Sequence, residues 1–328
     1  MNLQAILIDG LRGAVGVTAV SFALAAIGVN LQFGFTGLMN FGQVGFLLVG
    51  AYGTAIAVER GLPFPLAVLI GLLSAVALGL LMGLPTLRLR GDFLAILTIS
   101  VAEILRLVFR AQQLESFTGG VRGKAGFAET FYSWNPIPQG RYGISDLAFD
   151  ERTLWVLGVG WLLVVLTSLT VRRLVRSPWG RVVKAIRADE QAPQSLGKNV
   201  FLYKVQSLLV GGVIGALGGI IIAVDAQYTN PDYWQSPLTF YAFLALILGG
   251  VATTWGPVLG AMVFWFLTQA LDTALRQAIE AGYFGGALET TDTGPIRFAL
   301  VGLTLILLMV YRPQGLIGDR DDVVVIDQ

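Results

Sequence analysis

The sequence contains no cysteine and no histidine in 328 residues. Disulfides, thiolate nucleophiles, imidazole-bound metals and imidazole proton transfer are therefore excluded, and carboxylates alone are left to handle protons. Charge is scarce as well. Asp, Glu, Lys and Arg make up 13% of the chain against 55% apolar residues, about half the charged share of an ordinary soluble domain, roughly 25%. The net charge of +1 averages over charges that are confined to a few loops, so it says nothing about partners. A phosphate-binding loop is missing too. The nearest approach is TGGVRGKA, 118–125, where Thr118 stands in place of the first glycine and Ala125 in place of the Ser or Thr after Gly123-Lys124. ATP is not expected to bind this chain. No dinucleotide fingerprint and no G-x-S-x-G are present, and no catalytic residue, cofactor, metal or nucleic-acid partner is expected.

What the chain does have is long uncharged runs. Residues 13–58 carry no charge and as helix would reach about 69 Å, twice the ~30 Å hydrocarbon core of a bilayer. Two spans fit there, with a break near GFTG, 34–37. Further spans are expected at 61–87, about 92–110, 153–171, 205–224, within 238–271, and at 298–311. The segment LGGVATTWGP, 248–257, interrupts the run 238–271 with Gly and Pro, so two short helices should meet at that break. The fold class is all-α and polytopic, a single membrane domain over 1–328 of about 8–10 spans, several short or broken. Polar loops at about 112–152 and 272–297 suit the outside, and Tyr228, Tyr233 and Trp234 read as an interfacial aromatic belt. Two spans before residue 60 put the N-terminus outside, whereas Arg12 argues for inside. No small-residue cleavage site follows a short apolar run, so no cleavable signal peptide is expected.

One loop is strongly basic. Residues 172–204 hold eight of the 22 Lys and Arg against Asp189 and Glu190 alone, which marks the cytoplasmic face by the positive-inside rule. Two uses compete for it, a lipid-headgroup anchor and a docking element for another protein. Apolar Val182, Val183, Ala185 and Ile186 interleave with Arg181, Lys184 and Arg187, so a helix would show one apolar and one basic stripe. Gly197 then breaks it. That pattern favours docking, with Gly180, Arg181, Lys184, Ala185, Ile186, Arg187, Asp189, Glu190 and Gly197 as the coupling residues.

Polar residues inside the spans are the other candidates. Asn30, Gln32, Thr36, Asn40 and Gln43 cluster around the GFTG break, where amides either glue helices together or line a solvated path. Their density beside a break favours a cavity, so Asn30, Asn40 and Gln43, with Thr98 and Glu103 in a later span, are candidate path residues. Glu103 is the one acid expected within a span. Arg106 lies on the same helical face, and the two can pair; a proton relay would need a second buried carboxylate. The glycines of GGVIGALGG, 211–219, suit close helix packing.

The chain resembles the inner-membrane permease subunits of ABC importers for branched-chain amino acids. The resemblance rests on GVNLQFGFTGLMNFGQVGFLLVGAY (28–52), RLRGDFLAILTISVAEILRLV (88–108), SPWGRVVKAIRADEQAPQSLGKNVFLYKVQS (177–207), LGGVATTWGPVLGA (248–261) and YRPQGLIG (311–318). It implies a multi-pass subunit of the bacterial plasma (inner) membrane without catalytic residues. Its implied partners are two cytoplasmic ATP-binding subunits, a second homologous permease, an external solute-binding protein and membrane lipid. The coupling motif E-A-A-x-x-x-G corresponds to Gln191-Ala192-Pro193 followed by Gly197, so Gln replaces the acid, and Asp189 and Glu190 are left to supply negative charge. Permeases for urea and short amides are similar. A self-contained secondary transporter driven through Glu103 is the alternative from a different class.

Overall fold

The computed structural model describes residues 2–86, 91–144, 147–281, 293–312 and 314–318. The chain is built on fourteen α-helices among these residues. The first five are α1 (Leu3–Val15), α2 (Val17–Val29), α3 (Gln43–Glu59), α4 (Phe64–Thr86) and α5 (Gly91–Arg110). Short α6 (Glu115–Thr118) and α7 (Glu129–Ser133) follow in the polar stretch. Then come α8 (Glu151–Arg176), α9 (Pro178–Ala188), α10 (Gln191–Ser195), α11 (Val200–Ala226), α12 (Pro237–Gly249), α13 (Gly256–Glu280) and α14 (Thr293–Tyr311). Four short strands lie between helices among the described residues: β1 (Lys124–Ala125) pairs antiparallel with β4 (Tyr228–Thr229), and β2 (Arg141–Ile144) pairs antiparallel with β3 (Leu147–Asp150).

Helix ends follow local chemistry. Asn2 and Asn199 accept hydrogen bonds from Ala5 N and Leu202 N and so cap α1 and α11. Pro178 opens α9 where its missing N–H costs nothing. Among the described residues five helices are long and apolar enough to cross a membrane, within Val17–Phe35, Phe64–Pro85, Glu151–Arg176, Val200–Ala226 and Gly256–Glu280. Shorter apolar helices occupy Gln43–Glu59, Pro237–Gly249 and Thr293–Leu303.

The core sits where α2, α3 and α11 meet, with α4, α8, α12 and α13 around it. Glycine permits that approach. A Cβ on Gly28 would lie 2.2 Å from Gly211 O, and one on Gly211 would lie 2.5 Å from Gly28 O, so α2 and α11 touch backbone to backbone. Small residues at such crossings are how apolar helices associate without a hydrophobic drive between them. The GGVIGALGG segment is thus a packing face.

Two helices start inside the bundle. The last turn of α2 widens into a π-helix, Asn30–Phe35, and residues 37–42 run without helix before α3 begins at Gln43. The start of α3 lies beside the middle of α11, because Gln43 Nε2 donates to Gly211 O at 3.1 Å. Its N-terminus is met by that of α12, where Thr239 Oγ1 accepts from Val44 N at 3.0 Å.

The break after α12 differs from expectation in one respect. Here α12 is short, 13 residues, but α13 runs for 25, so a short helix meets a full-length one. The carbonyl end of α12 is closed by a segment from far along the chain: Leu316 N donates to Leu248 O at 3.0 Å and Ile317 N to Gly249 O at 3.1 Å. Gly250 and Gly315, with φ of 120° and 76°, make the turns that allow it. Two further expectations are corrected. Residues 272–280, expected in a loop, are the last turns of α13, and 282–292 lie outside the described residues, as do Arg88 and Arg90 of RLRG. Trp234, expected in an aromatic belt, is buried at 2% exposure and donates to Thr229 Oγ1, whereas Tyr228 and Tyr233 are exposed.

Candidate transport and docking sites

The five polar residues at the first break form a hydrogen-bonded interior. Asn30, Gln32, Thr36, Asn40 and Gln43 are at most 1% exposed. Asn40 Nδ2 donates to Gln32 Oε1 at 2.9 Å and Gln43 Oε1 at 3.3 Å, while Asn40 Oδ1 accepts from Gly42 N at 2.9 Å. Gln32 Nε2 donates to Leu208 O at 3.1 Å, and Thr36 Oγ1 and Ser207 Oγ stand 2.7 Å apart. Together these bonds tie the end of α2, the non-helical stretch and α3 to α11. Thr98, on α5, closes the same stretch from the other side by accepting from Phe41 N at 3.1 Å.

Asn30 reaches the second break. Its Nδ2 donates to Thr253 O at 2.7 Å and its Oδ1 accepts from Ala252 N at 2.9 Å. Ala252 has φ of 60°, a left-handed backbone that costs a non-glycine residue about 1–2 kcal/mol, and Asn30 holds it there. Both breaks are therefore joined through one amide. Sequence reasoning singled out Asn30, Asn40, Gln43, Thr98 and Glu103 as path residues; the structure places the first four together, engaged with backbone and with one another and buried, but not Glu103. The groups that do reach the surface at this break were missed: Met39 and Phe240 are exposed, and Phe41 stacks on Phe243 with centroids 4.6 Å apart. Only the position of Met39 and Phe41 within the non-helical stretch could have drawn attention to them.

Glu103 lies elsewhere, on α5. Arg106 Nη2 donates to its Oε1 at 2.6 Å and Nε to the same oxygen at 3.0 Å, and Arg106 Nη1 donates to Asp232 Oδ1 at 2.8 Å. Arg110 approaches the same Asp232 oxygen at 3.6 Å. Arg106 is 12% exposed between carboxylates that are 39% and 37% exposed. A second carboxylate is present, but it comes from the segment before α12 and is bridged by a guanidinium. That geometry clamps α5 to residues 231–233.

The basic loop folds as α9, a short link and α10. The reading of its apolar stripe needs correction, because Ile186 is 2% exposed and Gly180 and Val183 are buried against the chain's own body. A Cβ on Gly180 would strike Val175 O at 2.1 Å. The outward face of α9 carries Arg181, Lys184 and Ala185, with Pro178 and Ala188 exposed at its two ends. Its inner contacts run to the first break: Lys184 Nζ lies 5.8 Å from the Phe35 ring centroid, and a Cβ on Gly37 would touch Arg187. The acids beside it are already engaged. Asp189 Oδ1 accepts from Gln191 N at 2.9 Å, and Glu190 pairs with Lys204. Gly197 turns the chain with φ of 74°, and Pro193 sits in the first turn of α10, where proline is tolerated.

At the opposite end of α11, Lys124 pairs with Glu59. Tyr132 Oη donates to Val224 O at 3.0 Å, and burial pushes its phenol up to about 12, so it stays a donor across the physiological range. Among the described residues no group of three metal-ligating side chains gathers.

A helical bundle with several helices apolar and long enough to cross a membrane and with two interior breaks is the architecture of a multi-pass membrane protein. A family model described as branched-chain amino acid transport system / permease component matches residues 13–309, and the chain belongs to that family. It is the permease subunit of an ABC importer of the plasma (inner) membrane, a transport component that is not itself catalytic. The high-affinity branched-chain amino acid transport system permease protein LivM of Escherichia coli (strain K12) is 28% identical over 319 residues, covering 93% of this chain and 70% of that protein. The probable branched-chain amino acid transport permease protein LivM of Methanocaldococcus jannaschii is 23% identical, with 91% of each chain covered. The nucleoside ABC transporter permease protein NupC of Lactococcus lactis subsp. cremoris is 26% identical over 293 residues, covering 85% of this chain and 86% of that protein.

Proposed function

We propose that the chain forms, with a second homologous permease, the path by which a branched-chain amino acid enters the cell. Two cytoplasmic ATP-binding subunits drive the import and an external solute-binding protein delivers the solute. In this reading 172–204 is cytoplasmic, 112–152 and 272–297 are external, and the whole of 1–328 is one membrane domain. The observation that carries it is the seat of α9 against the first break, through Lys184 on Phe35 and Arg187 on Gly37. A subunit that docks on Arg181, Lys184 and Ala185 can then move the break by moving α9. Gly180 and Ile186 seat the helix, and Arg187 lies between seat and face. Asp189, Glu190 and Gly197 set the turn that follows.

The path follows the surface of the break. Met39, Phe41 and Phe240 give an apolar wall suited to an aliphatic side chain, and Asn30, Asn40, Gln43 and Thr98 hold that wall in position from behind. Glu103 serves as the structural partner of Arg106, which disfavours a carboxylate-driven secondary transporter.

The test uses the assembled complex in proteoliposomes with ATP inside. Labelled leucine, isoleucine and valine should be taken up, and urea and a nucleoside should not; uptake of the nucleoside alone would move the solute class toward that of the NupC relative. Ala185→Asp should abolish ATP-driven uptake while the permease stays folded. Unchanged uptake in that variant would remove α9 from the coupling role.

A further inference from the structure

The basic segment divides into two parts with different surroundings. Arg181 and Lys184 stand on α9, but Arg172, Arg173 and Arg176 belong to the last turns of α8. Along α8 the exposed apolar residues are Leu162, Val165, Leu166 and Leu169. At 100° per residue these positions and the three arginines fall on one face of the helix. The opposite face, Val164, Ser168, Val171 and Val175, is buried against the bundle. One stripe therefore runs from four aliphatic side chains into three guanidinium groups.

Among the described residues these arginines have no acidic neighbour. Among the described residues every ion pair involves other cations, and no carboxylate lies within 4.0 Å of Arg172, Arg173 or Arg176. The C-terminal end of α8 adds its own partial negative charge, which helps to keep three like charges together. Leu169, Arg172, Arg173, Arg176 and Ser177 line an open groove of about 390 Å³. A ligand for this surface needs an anionic head with several oxygen acceptors and a long apolar tail lying parallel to the helix. Guanidinium groups bind phosphate oxygens bidentately.

We infer that Arg172, Arg173 and Arg176 form a binding site for the headgroup phosphate of an anionic phospholipid, with its acyl chain along Leu162, Val165, Leu166 and Leu169. The occupant is lipid because the aliphatic stripe continues the basic groove for about two turns, which an acidic protein surface would not use. The site is separate from the outward face of α9 and stands whether or not α9 docks a partner subunit.

The experiment is native mass spectrometry of the full-length protein released from nanodiscs holding equal phosphatidylglycerol and phosphatidylcholine. The wild-type protein should retain phosphatidylglycerol preferentially. With each basic residue near a surface adding roughly fivefold, the variant R172Q/R173Q/R176Q should lose that preference by on the order of a hundredfold. Glycerol phosphate without acyl chains should not displace the retained lipid; displacement would identify a soluble phosphate site and overturn the lipid assignment. Equal retention of both lipids by the wild-type protein would overturn the proposal without any variant, so poor folding of the triple variant cannot leave it undecided. A variant that keeps its phosphatidylglycerol but no longer co-purifies with the ATP-binding subunits would assign these arginines to a protein contact.

Discussion

Two of the polar clusters within the helical bundle, one at the first break and one around Arg106, are built on opposite principles. Around the first break the polar groups are neutral amides and hydroxyls, at most 1% exposed, each bonded to backbone or to another amide. Around Arg106 they are ionic, with both carboxylates more than a third exposed. Burying a charge costs far more than burying an amide. A neutral amide can therefore fix a break in the deepest part of the bundle, whereas the carboxylates that pair with Arg106 stay partly exposed. The deep cluster sets geometry, and the shallow one fastens a loop.

The largest effect should come from breaking the deep cluster. Asn40→Leu leaves Gln32 Oε1, Gln43 Oε1 and Gly42 N without their partner, and at about 1–3 kcal/mol for each buried orphan the loss should reach on the order of 3 kcal/mol or more. Thermal unfolding of the purified permease in detergent measures it. A fall as small as that of a surface substitution would show that water enters the break and that the residues line a cavity after all.

Arg106→Gln should cost less, about 1–2 kcal/mol, because the Glu103 and Asp232 left behind are partly solvated. The same unfolding measurement applies, and a cost equal to that of Asn40→Leu would erase the distinction between the clusters. Double-mutant cycles sharpen it further. The coupling between Gln32 and Asn40 should exceed that between Glu103 and Arg106, which at partial exposure should be about 0.2–1 kcal/mol.

Glu103→Gln should have the smallest effect, well under about 1 kcal/mol, since a glutamine oxygen still accepts from Arg106. ATP-driven uptake should persist in the assembled complex. Loss of transport at normal protein level would turn the clamp into a proton relay.

Much of the fold was legible in the sequence because apolar runs, charge and glycine carry it. The break near GFTG, the interruption at 248–257, the helix–turn–helix of the basic segment and the Glu103–Arg106 pair all follow from local patterns. Contacts across the chain were not legible. Nothing local to Asn30 says that it braces Ala252, more than two hundred residues away, or that Asp232 folds back onto Arg106. Trp234 illustrates the same limit, since an aromatic between polar residues resembles a belt until Thr229 is found beneath it. Ile186 does too: interleaved apolar and basic residues give the right helix but leave open which stripe faces the body.

The closure of α12 by Leu316 and Ile317 bears on how the protein is made. The carbonyl groups of Leu248 and Gly249 emerge during synthesis well before the residues that cap them, with α13 and α14 still to be inserted. Until then the end of α12 must borrow water or a chaperone for those acceptors. Assembly of the second break is thus a late event in biogenesis, and a ribosome stalled within α14 would leave a bundle whose first break is complete and whose second is unlatched.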